Sequence, residues 1–293
     1  MNAIGGDTLE MLHAGVDEAA KNHRALVLGT EGPNFSAGAN LMLVLLEAQE
    51  GNRGRPRGWG AHVQRAGDAP GSPVPVVAAP AGLALGGSCE ISLHVDRAYA
   101  AGDTFMGLVE VGGFHLAGGG TKEMLARAMA KRPSPTTDPL PFVQQAFETI
   151  ALAKVSASGP DAQRLGYLSA VDTFSMNRER LIADAKAVAL QRVADGYRPP
   201  VAQPIPVGGA SLKAALELGV HLAWRAGRAT DHDVTVGKAL AHVFAGGAVP
   251  HATTVSEQHL LDLEREAFLR LLGEPKTLAR IQHTLTTGKP LRN

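Results

Sequence analysis

Two glutamates, Glu90 and Glu110, stand twenty residues apart, each beside glycine-rich sequence. Glu90 closes the run Ala84-Leu85-Gly86-Gly87-Ser88-Cys89-Glu90. Glu110 lies in Phe105-Met106-Gly107-Leu108-Val109-Glu110, ahead of Gly118-Gly119-Gly120. Two carboxyl groups in different environments can share acid and base work. Taken singly, each has a plainer reading: Glu90 as a first-turn helix acid favoured by the dipole, Glu110 as a surface-loop acid. Other chemistries lack their residues. Gly86-Gly87-Ser88-Cys89 approaches a nucleophile elbow, but Glu90 stands where its last glycine should be. A dinucleotide-binding G-x-G-x-x-G fails after Gly118, because Glu123 occupies the final glycine place. Gly237-Lys238 lacks the hydroxyl residue and the upstream spacing of a P-loop, and no H-E-x-x-H occurs. Hydride transfer, ATP hydrolysis and zinc catalysis therefore have no local support. His94 and Asp96 read as structural, and Cys89 as a small buried hydrophobe.

Composition sets the outer bounds. The chain has 293 residues, 45% of them hydrophobic, enough for one large core or two modest ones. Lys+Arg and Asp+Glu are both 28, so the formal charge is zero. That balance argues against a nucleic-acid partner and against an anionic membrane surface. A single cysteine excludes an intramolecular disulfide and a cysteine-based zinc site, and no metal is expected. Residues 1–15 lack the basic start and apolar run of a signal peptide, and no stretch reaches the length of a membrane helix. The expectation is a cytoplasmic protein without membrane insertion.

The elements that must position the glutamates follow from hydrophobic period and punctuation. Residues 7–20 read as an amphipathic helix with Asp7 and Glu10 as a capping box and Leu9, Leu12, Val16 and Ala19/Ala20 on one face. Ala25–Gly29 and Val74–Ala79 read as buried strands, and Arg97–Ala101 as a third strand. Ser88–His94 reads as a helix, and so does Lys122–Lys131 with Thr121 as its cap. Strand, glycine loop and helix alternate through the first 130 or so residues, which is an α/β pattern with function in the loops. After the Pro-rich stretch 132–141 the chain turns helical. Caps are expected at Asn177, at Ser211 and at Thr254 with Glu257, and the last of these helices should stop at Gly273. Helices at 178–195 and 256–272 should each bury one face, on the α/β core or on a neighbouring subunit.

Three segments in order carry a resemblance: Phe35-Ser36-Ala37-Gly38-Ala39-Asn40-Leu41, then Ala84–Glu90, then Phe105–Gly112 with Gly118–Gly120. With the twenty-residue interval between the glutamates, they make the chain resemble the enoyl-CoA hydratase/isomerase (crotonase) superfamily. Asp138-Pro139-Leu140-Pro141-Phe142 and the tail from Glu274-Pro275-Lys276 to Asn293 look like one branch, the hydratase region of bacterial multifunctional 3-hydroxyacyl-CoA dehydrogenases. The resemblance implies an α/β fold with a repeated ββα core at 1–131, a linker at 132–141 and a helical region at 142–293. By the same resemblance the chain starts after the family's first strand.

What the resemblance implies chemically is addition of water to a 2-enoyl-CoA thioester. The backbone N–H groups of Ala39 and Gly87 would form the oxyanion hole. Ala37, Gly38, Gly86 and Gly119 would line the substrate. Glu110 would be the main acid/base, and Glu90 would hold and activate the water. No separate cofactor is expected, coenzyme A being part of the substrate, and assembly with itself or with a partner subunit is. Two alternatives stay open: enoyl isomerisation at the same hole, and a non-catalytic fragment that serves assembly.

The chain departs from the family at Ser88, where glycine is usual, and at Asn40, where aspartate is usual. The loop 112–118, with His115, is about one residue longer than the family pattern. Residues 51–72, with Arg53, Arg55, Arg57 and Arg65 among glycines and prolines, show no apolar period and read as a solvated loop without stable structure in preference to a binding patch. The sharp entry and exit of both stretches is the pattern a compensated reading-frame shift would leave.

Overall fold

The structure is a computed structural model and describes residues 2–49, 72–110 and 119–293. Of the stretches 51–72 and 112–118, residues 51–71 and 112–118, His115 among them, lie outside the described residues, whereas Ser72 is buried and its Oγ accepts the N–H of Val74.

Three ββα repeats follow one another along the chain. The first is β2 (Leu26–Leu28), β3 (Gly38–Ala39) and α2 (Leu41–Gln49). The second is β4 (Val76–Ala78), β5 (Leu83–Leu85) and α3 (Gly87–His94). The third is β6 (Arg97–Ala101), β7 (Phe105–Gly107) and α4 (Gly120–Ala130). A short strand β1 (Ala3–Ile4) and helix α1 (Gly6–Asn22) precede them. Beyond them run α5 (Leu140–Ala151), α6 (Gly159–Leu165), β8 (Thr173–Ser175) and α7 (Leu181–Ala194). The chain continues through β9 (Ile205–Val207), α8 (Gly209–Arg225), α9 (Asp231–Phe244), β10 (Thr253–Val255), α10 (Glu257–Leu272) and α11 (Pro275–Thr287).

Two compact units share these elements, and both are discontinuous in sequence. The first takes described residues 2–40, 72–108 and 155–202. Its main sheet is parallel in the order β2-β4-β6-β8. Val76, Val77 and Ala78 of β4 are wholly buried, which explains why a central parallel strand reads as an unbroken apolar run. Helix α7 covers one face, setting Leu181, Ala185 and Ala189 against Val77, Ala79, Ala81 and Ala101. The sheet therefore needs a strand and a helix from well past residue 131. The second strands of the repeats pair separately. β5 runs parallel to β7, β1 parallel to β3, and a lone bridge joins Ser36 to Ala84.

The second unit takes 41–49, 109–110, 119–154 and 203–293. Val44 and Leu45 of α2 pack with Phe268 of α10 and Ile281 of α11. Phe147 and Phe244 meet edge to face at 5.7 Å, and β9 pairs antiparallel with β10. Arg132 ties the stretch after α4 into an ordered turn by donating to the carbonyls of Met129, Pro135 and Thr137.

The expected helices are present, with different caps. Gly5, not Asp7, starts α1, and the Asp7 carboxylate accepts the N–H of Thr8 from within the first turn. Leu9 and Ala19 are buried as expected, while Ala20 is exposed. Gly119 rather than Thr121 caps α4, and Gly208 rather than Ser211 caps α8. Ser256 caps α10 through the N–H of His259, and Thr254 lies in β10 instead. Ser, Thr and Asp crowd these junctions, and the turn geometry of the preceding residues chooses between them. Asn177 does accept from Glu179 N–H, ahead of α7. Helices α7 and α10 bury one face each, as their period predicts. Gly273 ends α10, and Pro275 then opens α11, where a missing N–H costs nothing.

Candidate active site

The expected oxyanion-hole segments meet inside the first unit. Ser36 N–H donates to Leu83 O at 2.9 Å, and Leu85 N–H donates to Ser36 O at 3.0 Å. These rungs hold the Ser36–Ala39 segment beside the Leu85–Gly87 turn. Gly38 has φ +92°, and a Cβ placed on it would stand 2.8 Å from the Leu85 carbonyl oxygen and 3.5 Å from Gly86 Cα. Only glycine permits both that dihedral and that approach. Gly86 has φ 58° and ψ −129°, again a conformation that side chains oppose, and it turns β5 sharply into α3.

Both proposed donors are left pointing out of their own elements. In the β1–β3 ladder the bond to Ile4 O comes from Asn40 N–H at 3.0 Å, so the alternate amide, that of Ala39, faces away from β1. Gly87 is the first residue of α3, and the first intrahelical bond runs from Glu90 N–H to Gly86 O at 3.0 Å. Its N–H is thus one of the first-turn amides that have no intrahelical acceptor, at the end of the helix where negative charge is favoured.

Glu90 lies one turn in, with only 2% of its surface exposed. Every residue of α3 is buried, including Ser88, Ser92 and His94. The polar atoms of Ser92 and His94 turn back on the helix backbone: Ser92 Oγ donates to Ser88 O at 2.9 Å, and His94 Nδ1 donates to Glu90 O at 2.7 Å. Asp96 accepts from Val76 N–H and from the Tyr197 hydroxyl. His94 and Asp96 therefore have the structural roles expected of them. Burial pushes the Asp96 carboxyl above its ordinary range, against the pull of the Val76 and Tyr197 bonds.

Glu110 and Gly119 belong to the second unit, where Glu110 is half-buried. Gly119 N–H donates to Glu264 Oε2 at 2.9 Å, and Lys122 N–H donates to Glu264 Oε1 at 2.6 Å. Glu264, on α10, is wholly buried and closes the N-terminus of α4 with the chain's own carboxylate. No sequence signal could have found it, since 145 residues separate it from Gly119. Ser36 and Ser88 also lay unremarked as contacts. Ser36 sits in the first motif, and Ser88 showed itself as a departure from the family, which was the available signal.

No family model matches the chain. A probable 3-hydroxyacyl-CoA dehydrogenase of Bacillus subtilis is 43% identical over 297 residues, covering 100% of this chain and 37% of that protein. Mouse mitochondrial methylglutaconyl-CoA hydratase is 32% identical over 198 residues, 65% of this chain and 56% of that protein. The chain thus spans only about a third to a half of these relatives' lengths. Among solved structures, an enoyl-CoA hydratase from Rhodobacter sphaeroides superposes with a TM-score of 0.65 at 17% identity, covering 100% of this chain and 86% of that one. The chain thus has the crotonase fold of the enoyl-CoA hydratases and isomerases, and its sequence is similar to proteins named as a 3-hydroxyacyl-CoA dehydrogenase and a methylglutaconyl-CoA hydratase.

Proposed function

We propose that the chain is an enoyl-CoA hydratase that adds water, syn, across the double bond of 2-enoyl-CoA thioesters. The observation that carries this reading is the close approach of Gly38 to the Leu85 carbonyl, which sets the Ala39 segment beside the Gly87 helix start. Two backbone donors there suit the oxygen of a thioester as it gains negative charge. Small residues on both sides let the protein backbone come close to the substrate.

The two glutamates then divide the proton work. One carboxylate takes a proton from water as its oxygen bonds to C3, and a carboxyl proton passes to C2. Water is consumed, and the two carboxyl groups exchange protonation states; passage of one proton from the first to the second through water then restores both. Glu110 is assigned the main acid/base role, and Glu90, at the foot of the glycine turn, the holding and activation of water. Two glutamates favour hydration over isomerisation, for which one suffices. The product would be a 3-hydroxyacyl thioester, the substrate class named in the Bacillus relative, so a place in fatty-acid β-oxidation follows. Coenzyme A enters with the substrate.

The test is direct. Purified chain mixed with crotonyl-CoA should bleach the conjugated-enone absorbance, and the product should be 3-hydroxybutanoyl-CoA. Absence of bleaching, or shift of a 3-enoyl-CoA into conjugation without hydration, overturns the proposal.

A further inference from the structure

We propose that Ser88 is a positioning residue for the oxyanion hole, its hydroxyl clamping together the two segments that carry the Ala39 and Gly87 amides. The inference rests on the hydratase reading above and adds a residue to it.

The backbone ladder between the two segments ends early. Its rungs are Ser36 N–H to Leu83 O and Leu85 N–H to Ser36 O. Past that point each segment turns to another neighbour: Gly86 N–H donates to Gly107 O at 2.8 Å, and Asn40 N–H to Ile4 O at 3.0 Å. Ser88 Oγ lies beyond the last rung, 2.9 Å from Ser36 O and 2.8 Å from Leu85 O. Its single proton is shared between one carbonyl from each segment. Ser36 Oγ adds to the same corner by accepting Gly38 N–H at 3.1 Å. Ser88 is 1% exposed and Ser36 6%, so water does not compete for these oxygens.

A serine in a first helical turn commonly bonds its hydroxyl to nearby backbone within its own turn. This one reaches across to Ser36, 52 residues away. The two carbonyls it holds precede the two donors by only three and two residues. The clamp therefore sets the spacing and angle between the Ala39 and Gly87 amides. Loosening it would leave both donors present but less well aimed at the charged oxygen. Such a change weakens binding of the transition state more than binding of the neutral substrate.

The experiment compares wild type with Ser88→Ala, Ser88→Cys and Ser88→Thr. Turnover of crotonyl-CoA gives kcat and KM. Binding of the enolate of 3-oxobutanoyl-CoA, read by its near-ultraviolet absorbance, reports on the hole directly, and binding of butanoyl-CoA reports on the neutral thioester. Circular dichroism and thermal unfolding establish that each variant is folded. Ser88→Ala should lower kcat roughly tenfold and weaken enolate binding by the same factor. KM and butanoyl-CoA affinity should stay within about twofold, since a displaced donor acts mainly on the charged state. Ser88→Cys, with a weaker donor of nearly the same shape, should fall between, and it carries the test if the alanine variant unfolds. Ser88→Thr should restore enolate binding. A folded variant without the hydroxyl that keeps wild-type kcat and enolate affinity overturns the clamp alone. A wild-type chain that neither hydrates crotonyl-CoA nor binds the enolate overturns the hydratase reading, and the clamp with it.

Discussion

Gly38 and the Leu85 carbonyl oxygen are so close that a single added methyl group would stand 2.8 Å from that oxygen. The two residues are 47 positions apart, and their contact joins two of the three glycine motifs. A Gly38→Ala variant must relieve both the contact and a φ of +92°. The expected cost is about 2–3 kcal/mol of stability. Activity should fall further than the folded fraction does, because relief moves the Ala39 amide. Urea unfolding and crotonyl-CoA turnover measured on one preparation check this. Equal losses in both would argue against a role in the hole.

Glu90→Gln and Glu110→Gln each keep shape and hydrogen-bonding length while removing the exchangeable proton. Each should lower kcat by about 10²–10⁴-fold with the fold intact. Stopped assays with crotonyl-CoA and circular dichroism measure the two outcomes. If both variants keep near wild-type turnover, the assignment of these carboxyls is wrong.

Glu264 accepts the N–H groups of Gly119 and Lys122 from a fully buried position. Glu264→Ala removes the acceptor of two amides and should cost about 3 kcal/mol. Glu264→Gln keeps one acceptor but turns an amide NH2 toward the other donor, so it should lose roughly half as much by the same reasoning. Denaturant unfolding gives both numbers. A change within about 0.5 kcal/mol for the alanine variant, the range of ordinary surface changes, would show that solvent can replace the carboxylate there.

Acid should weaken the chain before its carboxylates titrate. Burial, then the nearby Arg280 guanidinium, holds the His232 imidazole below its ordinary range, and burial with Lys213 does the same for His242. A histidine depressed in the folded state lets the unfolded chain bind the proton first. Stability is therefore fully present above the unfolded pKa of about 6.5 and declines as pH falls below it toward the folded values. Unfolding midpoints taken from pH 7.5 to 5 should drop. His232→Gln, which can still bond to Thr277 Oγ1 (2.9 Å from His232 Nε2 in the structure), should flatten that drop. An unchanged slope in the variant would remove His232 from the account.

Local chemistry made part of this protein legible. Strands near 26–28, 76–78 and 97–101 and helices near 88–94, 181–194 and 257–272 could be read because continuous apolar runs and 3.6-residue stripes are local properties. Gly38 and Gly86 stood out as glycines because a positive φ disfavours other residues at such places. Caps were harder: Ser211 and Ser256 are both plausible on type alone, and only the turn before the helix decides which amide is within reach. Long-range partners could not be read at all. That Ser36 meets Ser88, that Glu264 closes the turn at Gly119, and that α7 covers the sheet are consequences of chain return over 50 to 145 residues. The sequence alone determined which residue types could build an oxyanion hole and an acid/base pair. The tertiary structure decided which carbonyl each hydroxyl clamps and which amides a buried carboxylate already occupies, because hydrogen-bond partners depend on distances that no local pattern encodes.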